Sequence, residues 1–192
     1  MTIEKTKATD VVSSGLTCNT KAGEDAKATG VFEIKCHDKD GNLKWEAQSK
    51  NLVVNVGLQY MAGTALTSVA QITTWYLGLY GAGASNTPAA GDTMSSHAGW
   101  TEVTTYSNAN RVTASFATAT TANPSVVTNT ASPAVFNING TTTVGGAFLT
   151  SNNTKGGTTG TLFSAADFGS PGDRSVVNGD TLSVTYTFSL AA

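Results

Sequence analysis

The residues of this chain that could do chemistry are few. It has two histidines, His37 and His97. His97 lies in Thr93-Met94-Ser95-Ser96-His97-Ala98-Gly99-Trp100, and with Ser96 and Asp92 it supplies the residue types of a nucleophilic triad. A triad needs the base within reach of both nucleophile and carboxylate, which sequence neighbours rarely achieve, and no strained Gly-x-Ser-x-Gly elbow accompanies these residues. A structural histidine is the better reading. The segment Asp38-Lys39-Asp40-Gly41-Asn42 has the look of a calcium loop, but it lacks the third ligand before the glycine and the bidentate Glu at position twelve. Turn chemistry explains it, because Asp and Asn accept turn dihedrals and Gly41 supplies φ > 0.

Acid pairs for glycoside chemistry are equally thin. After residue 51 the carboxylates are Asp92, Glu102, Asp167, Asp173 and Asp180, and three of them (Asp92, Asp173, Asp180) sit beside Gly or Pro where capping of a turn is expected. Gly81-Ala82-Gly83 and Gly156-Gly157 lack the Lys-Ser/Thr pair of a phosphate cradle. Trp100 and Tyr106 have rings that could stack on a sugar, with core packing as the default. The two cysteines, Cys18 and Cys36, have no metal-ligand spacing apart from Cys36-His37, which a strand would point to opposite faces. They are read as reduced, with a Cys18–Cys36 disulfide as the alternative. No cofactor, no metal and no enzymatic activity are expected.

Charge is distributed very unevenly. Sixteen of the 24 charged residues fall in the first 50 positions, and eight are spread over the 142 that follow. Threonine alone contributes 32 of 192 residues, so hydroxyls and amides must cover most of the surface. That suits a β-rich structural protein better than an enzyme with a charged, pKa-tuned cleft. A net charge of −2 leaves no basic footprint for nucleic acid. No apolar run of about 18 residues is present to span a bilayer, and Met1-Thr2-Ile3-Glu4-Lys5-Thr6-Lys7 has no apolar core of a secretory leader, so synthesis in a cytoplasm is expected.

The elements that must position these residues read as strands. Residues 1–29 mix charge with small polar residues without a period and are expected to form an extended N-terminal arm, ahead of a single domain over 30–192. Val31-Phe32-Glu33-Ile34-Lys35-Cys36 and Leu43-Lys44-Trp45-Glu46-Ala47 alternate apolar and charged residues around the Asp38–Asn42 turn, which predicts a hairpin. Residues 54–63 are the one helical candidate, two or three turns on a sheet edge, with Asn55 as the expected cap and Gly57 arguing against it. Strands are predicted at 73–81, 101–106, 111–119, 133–139, 143–151, 158–164 and 181–190, separated by dense turn signals, for about nine strands in all. The expected fold is all-β, an antiparallel β-sandwich or jelly-roll-like domain with one short helix.

Several stretches taken together resemble a known group. They are Asp40-Gly41-Asn42-Leu43-Lys44-Trp45-Glu46, Asn51-Leu52-Val53-Val54-Asn55-Val56-Gly57-Leu58, Trp75-Tyr76-Leu77-Gly78-Leu79, Ser96-His97-Ala98-Gly99-Trp100-Thr101-Glu102-Val103, and Val144-Gly145-Gly146-Ala147-Phe148-Leu149 with Asn152-Asn153-Thr154-Lys155 and Gly160-Thr161-Leu162-Phe163. The set resembles small virion structural proteins of tailed bacteriophages and covers most of residues 31–190. The resemblance carries no catalytic motif and implies a particle component, on either head or tail.

Two roles follow from it. In the first, the chain is a head decoration (cement) protein, whose arm lies across the capsid shell while the sandwich seals subunit junctions, with the major capsid protein or other virion proteins as partners and a closed homo-oligomer, a trimer at a threefold site, as its assembly. In the second it is a tail-associated or receptor-binding module, with the loops 82–100 or 151–158 on a host glycan. Contacts are expected from Lys21, Glu24, Asp25 and Lys27 on the arm and from Met94 and Trp100 at a loop tip, since Met and aromatic residues concentrate interface energy.

Overall fold

A computed structural model describes residues 26–81, 87–168 and 172–192. Along the chain it places β1 (Lys27–His37), β2 (Leu43–Lys50), β3 (Leu52–Val53), α1 (Asn55–Leu66), β4 (Tyr76–Gly81), β5 (Glu102–Val103), β6 (Val112–Thr113), β7 (Ser125–Thr128), β8 (Ala134–Asn137), β9 (Thr142–Thr150), β10 (Leu162–Asp167), β11 (Arg174–Val176) and β12 (Thr181–Ala191). All pairings are antiparallel, and the strands form two sheets that pack face to face. The fold is an all-β sandwich with one helix among the described residues.

The first sheet is ordered β2-β1-β12-β7, with β8 also on β12. The alternation in β1 does what it predicts: Phe32, Ile34 and Cys36 turn inward, while Glu33 and Lys35 face out opposite Gln48 and Glu46 of β2. β12 runs along β1 for eleven residues, from Lys27↔Ala191 to His37↔Thr181. Its other edge is shared by β8 over residues 181–184 and β7 over 187–190. Between them Asn129 replaces the missing strand. Its Nδ2 donates to Val184 O at 3.2 Å, and its Oδ1 accepts from Tyr186 N at 2.6 Å.

The second sheet is ordered β3-β10-β9-β4-β5, with β11 on β9 and β6 on β4. Its inner face supplies Leu77, Leu79, Ala147, Leu149 and Phe163 to a core shared with Phe32, Ile34, Phe136, Leu182, Val184 and Tyr186 of the first sheet. The outer face is covered too. Tyr80, Phe148, Leu162 and Ala165 pack with Val54, Met94 and Trp100 in a second apolar cluster, because the loop before β5 folds back over the sheet. Covered on both faces, β4, β9 and β10 are buried almost without alternation.

Several expectations need correction. β1 starts at Lys27, so Lys27 to Thr29 belong to the sandwich and the domain begins before residue 30. Lys27 is exposed on that strand, whereas Lys21, Glu24, Asp25 and Cys18 lie outside the described residues. The strands expected at 101–106 and 111–119 contract to the two-residue β5 and β6, since Tyr106 N turns back onto Thr104 O at 2.9 Å and Phe116 N onto Ala114 O at 3.0 Å. β3, β7 and β11 were not anticipated. The helix runs to Leu66, and Asn55 is not its cap: Val54 holds that place without a side-chain bond, and Asn55 N donates to Ala90 O at 2.8 Å.

Gly57 is what seats the helix. A Cβ there would lie 2.3 Å from Phe163 O, so only glycine lets α1 lie against β10 where β3 ends. The helix thereby closes a sheet edge that would otherwise be open to another strand. On propensity alone, Gly57→Ala would stabilise a helix by about 1 kcal/mol. Here the clash with the Phe163 backbone dominates, and we expect a net loss of about 1–2 kcal/mol, read as a lower Tm. A raised Tm would show that the helix does not sit on β10. Asn129→Ala leaves Val184 C=O and Tyr186 N–H buried without partners. Denaturant unfolding should show a loss of about 3 kcal/mol, and an effect under about 0.5 kcal/mol would mean that Asn129 does not bridge the ladder.

Candidate functional site

The triad residue types do not converge. Asp92 Oδ2 accepts from Trp100 Nε1 at 3.0 Å and from Ala89 N at 3.0 Å. His97 Nδ1 is 2.9 Å from Trp100 O, and its ring stacks on the Trp100 indole with centroids 3.8 Å apart. Among the described residues no hydrogen bond joins Asp92 to His97. Asp92 and His97 instead hold the loop that carries Trp100 into the outer-face cluster, and Ser96 is paired through its backbone with Thr93. Met94 and Trp100, expected as interface anchors, are 2% and 3% exposed, so they are core residues of the loop layer and cannot meet a partner.

The other candidates are likewise occupied. Asp38 Oδ1 accepts from Asp40 N at 2.9 Å and Asn42 N at 2.8 Å, and these bonds, that from Asn42 foremost, hold its carboxyl below the usual range. Gly41 has φ 85°, as the turn requires. Cys36 is a buried free thiol; burial, and then the Asp180 carboxylate, push its pKa up to about 11, so it stays protonated and unreactive at neutral pH. Asp180 itself is buried against Lys44 Nζ and Val177 N. Partial burial first, and then the charge of Asp173, push the Asp167 carboxyl up. Among the described residues no group of three His, Cys, Asp or Glu side chains gathers as metal ligands would.

A buried ion pair organises the loops beyond β5. Arg111 and Glu102 side chains are 0% and 8% exposed and bond in a fork, Nε to Oε1 at 2.9 Å and Nη2 to Oε2 at 2.7 Å. The guanidinium also donates to Asn152 O and Gly157 O, and Glu102 Oε2 accepts from Gly156 N. Lys155 then reaches across to Tyr106 O and Asn108 O, 4.4 Å from the centre of the Tyr106 ring. Three chain segments are riveted together, and sequence reading missed the arrangement because the partners lie in separate loops.

One of the concave surfaces is lined mainly by apolar side chains. At the end of the sandwich where β12 finishes, the sheets part around a groove of about 500 Å³. Tyr186, Phe188 and Val127 line it from the first sheet and Leu149 and Phe163 from the second. Tyr60, Met61, Thr64 and Ala65 of α1, with Ile72 and Trp75 after it, close one side, and Phe116 the other. Its rings meet edge to face: Tyr60 with Trp75 at 5.3 Å, Trp75 with Phe163 at 5.3 Å, and Phe163 with Phe188 at 5.4 Å. The Tyr60 hydroxyl accepts from Ile72 N at 2.7 Å, and that of Tyr186 accepts from Asn51 and Ser164. No lining residue carries a charge. The groove offers neutral apolar contact and holds no general acid or base for neutral pH. Its signal in the sequence is the run from Asn51 to Gly91, 41 residues without a charge.

Comparison with protein-family models, with curated proteins and with solved structures found no match.

The ion pair yields a test. Arg111→Met strands the Glu102 carboxylate in the interior and should cost about 3–5 kcal/mol. Adding Glu102→Leu should recover part of that loss, giving a coupling of at least about 1 kcal/mol in a double-mutant cycle. Additive losses would mean that the two side chains act separately.

Proposed function

We propose that this chain is a non-enzymatic structural protein of a tailed-bacteriophage virion, a decoration (cement) protein that binds the head surface and stabilises it. The observation that carries the reading is the partition of the surface. The hairpin of β1 and β2 is charged and well solvated, whereas α1 and the segment behind it expose Leu58, Leu66 and Val69, and the groove walled by Tyr60, Met61, Thr64 and Ala65 has no charged lining residue. An uncharged apolar groove of this kind is a feature of surfaces that associate. The resemblance of residues 31–190 to small phage virion proteins supplies the setting. The buried polar side chains described above are engaged in bracing loops and strands, which suits a part whose task is to add contact area.

The partners are the major capsid protein and further copies of the chain. Many equivalent sites on one particle let modest contacts add up through multivalency, provided each copy buries about 1,000 Å² or more. The arm of residues 1–26 and the sandwich divide the contact between them. The protein is made in the host cytoplasm and resides on the virion.

Particles assembled with and without the chain provide the test. Its copy number should scale with that of the major capsid protein, and particles lacking it should release their genome at lower temperature or lower salt. A copy number fixed at the level of a tail component, with unchanged genome retention, would replace this reading by that of a tail-associated or receptor-binding module.

A further inference from the structure

We propose that residues 11–16 of this chain seat in the apolar groove of the same chain, with Val11, Val12 and Leu16 against its walls. Residues 1–25 precede the described part of the chain and join it where β1 begins. That point lies at the groove. β1 and β12 pair from Lys27↔Ala191 onward, and Gly30 stands directly beside Phe188, a groove residue. A Cβ on Gly30 would lie 2.6 Å from the hydroxyl of Tyr186, which also lines the groove. Ala28, next along the same face of β1, packs against the core. Lys27 is three residues beyond Gly30, about 10 Å along the strand.

Charge and length select the segment. The charges within residues 1–25 are Glu4, Lys5, Lys7, Asp10, Lys21, Glu24 and Asp25, so residues 11–20 form the long uncharged run. That run holds Val11, Val12 and Leu16, whereas Met1 and Ile3 stand next to Glu4 and Lys5 and far from the attachment point. No residue lining the groove is charged, so a segment carrying ions into it would shed their water without gaining a counter-charge. The ten residues 17–26 can span up to about 35 Å, several times the distance from Lys27 to the row of Phe188.

Attachment favours this occupant over a separate molecule. A segment tethered so close to its site meets it at an effective concentration on the order of mM. A second copy at micromolar concentration offers the same side chains far more dilutely. The seating belongs to the isolated chain and holds whether or not the protein coats a particle.

The experiment attaches a spin label to Cys18 of the full chain at neutral pH, where the buried Cys36 thiol does not react. Cys18 is two residues from Leu16, so the label should broaden the amide resonances of Tyr60, Thr64 and Phe188 at the groove. It should spare Gly41, in the turn at the far end of β1. Leu16→Asp charges the segment, and Ala65→Arg charges the groove wall at an exposed position where the fold tolerates it. Each should weaken seating at least ~10-fold, as expected when one buried apolar contact is lost, and restore those resonances. Isotope-labelled chains without the spin label, mixed with spin-labelled chains, should show no broadening at the groove. Broadening in that mixture overturns the proposal in favour of a second copy. Groove resonances left sharp in the labelled wild type overturn it and give the groove to an outside partner. Broadening that survives both variants overturns it too, because the segment then lies near the groove without entering it.

Discussion

A strand at the centre of a sheet must have both edges hydrogen-bonded, and in this protein β12 depends on one side chain to meet that condition. Its inner edge is satisfied along eleven residues by β1, but its outer edge is divided between β8 and β7, with Asn129 in the gap. A buried amide has one acceptor and two donors, so it can mimic a peptide unit where no strand is present. The rest of the first sheet follows. With β12 fixed in register, Leu182, Val184 and Tyr186 all face the core, opposite the inward residues of β1. A slip by one residue would turn that set out to solvent.

The second sheet meets a different constraint. It is buried on both faces, so the layer outside it must bring its own polar groups in already paired. Three of the eight charged residues after position 50, Asp92, Glu102 and Arg111, serve this purpose. Asp92 accepts the buried Trp100 indole, and Glu102 and Arg111 neutralise each other while binding backbone of the loop at 152–157. Scarcity of charge therefore does not mean that charge is unimportant here. Each buried ion has several partners, and the loops have little regular structure to hold them otherwise.

What could be read from the sequence tracks the locality of its physics. The β1–β2 hairpin and β12 have one wet face, so polarity alternates along them and the pattern reports the strand directly. β10 has no wet face over most of its length, and Ser164-Ala165-Ala166 shows neither alternation nor β-branching; its strand comes from neighbours on both sides. Gly57 argues against a helix by propensity yet permits this one, because the deciding contact is with Phe163, far away in sequence. Trp100 and Met94 look like exposed loop residues until the loop is known to fold onto Tyr80 and Phe148. The groove assembles residues from 60 to 188, and only its lack of charge is a local property.

That lack of charge joins the fold to the functional reading. A surface covered by threonine, serine and asparagine is adequately solvated, so a chain poor in charge need not associate with anything. The helix is mixed: its exposed positions include Leu58 and Leu66 beside Asn55, Gln59, Ala62 and Ala65, while hydroxyl-bearing Thr64 is turned to bond Tyr60 O and Met61 O within the helix. Folding of the single chain gives no reason for this choice: α1 is seated by Gly57, Tyr60 and Met61, and a charged residue at 66 would disturb none of those contacts. Single exposed apolar side chains are ordinary on a protein surface, so it is the uncharged groove beside the helix, and not Leu66 by itself, that bears on the proposed role.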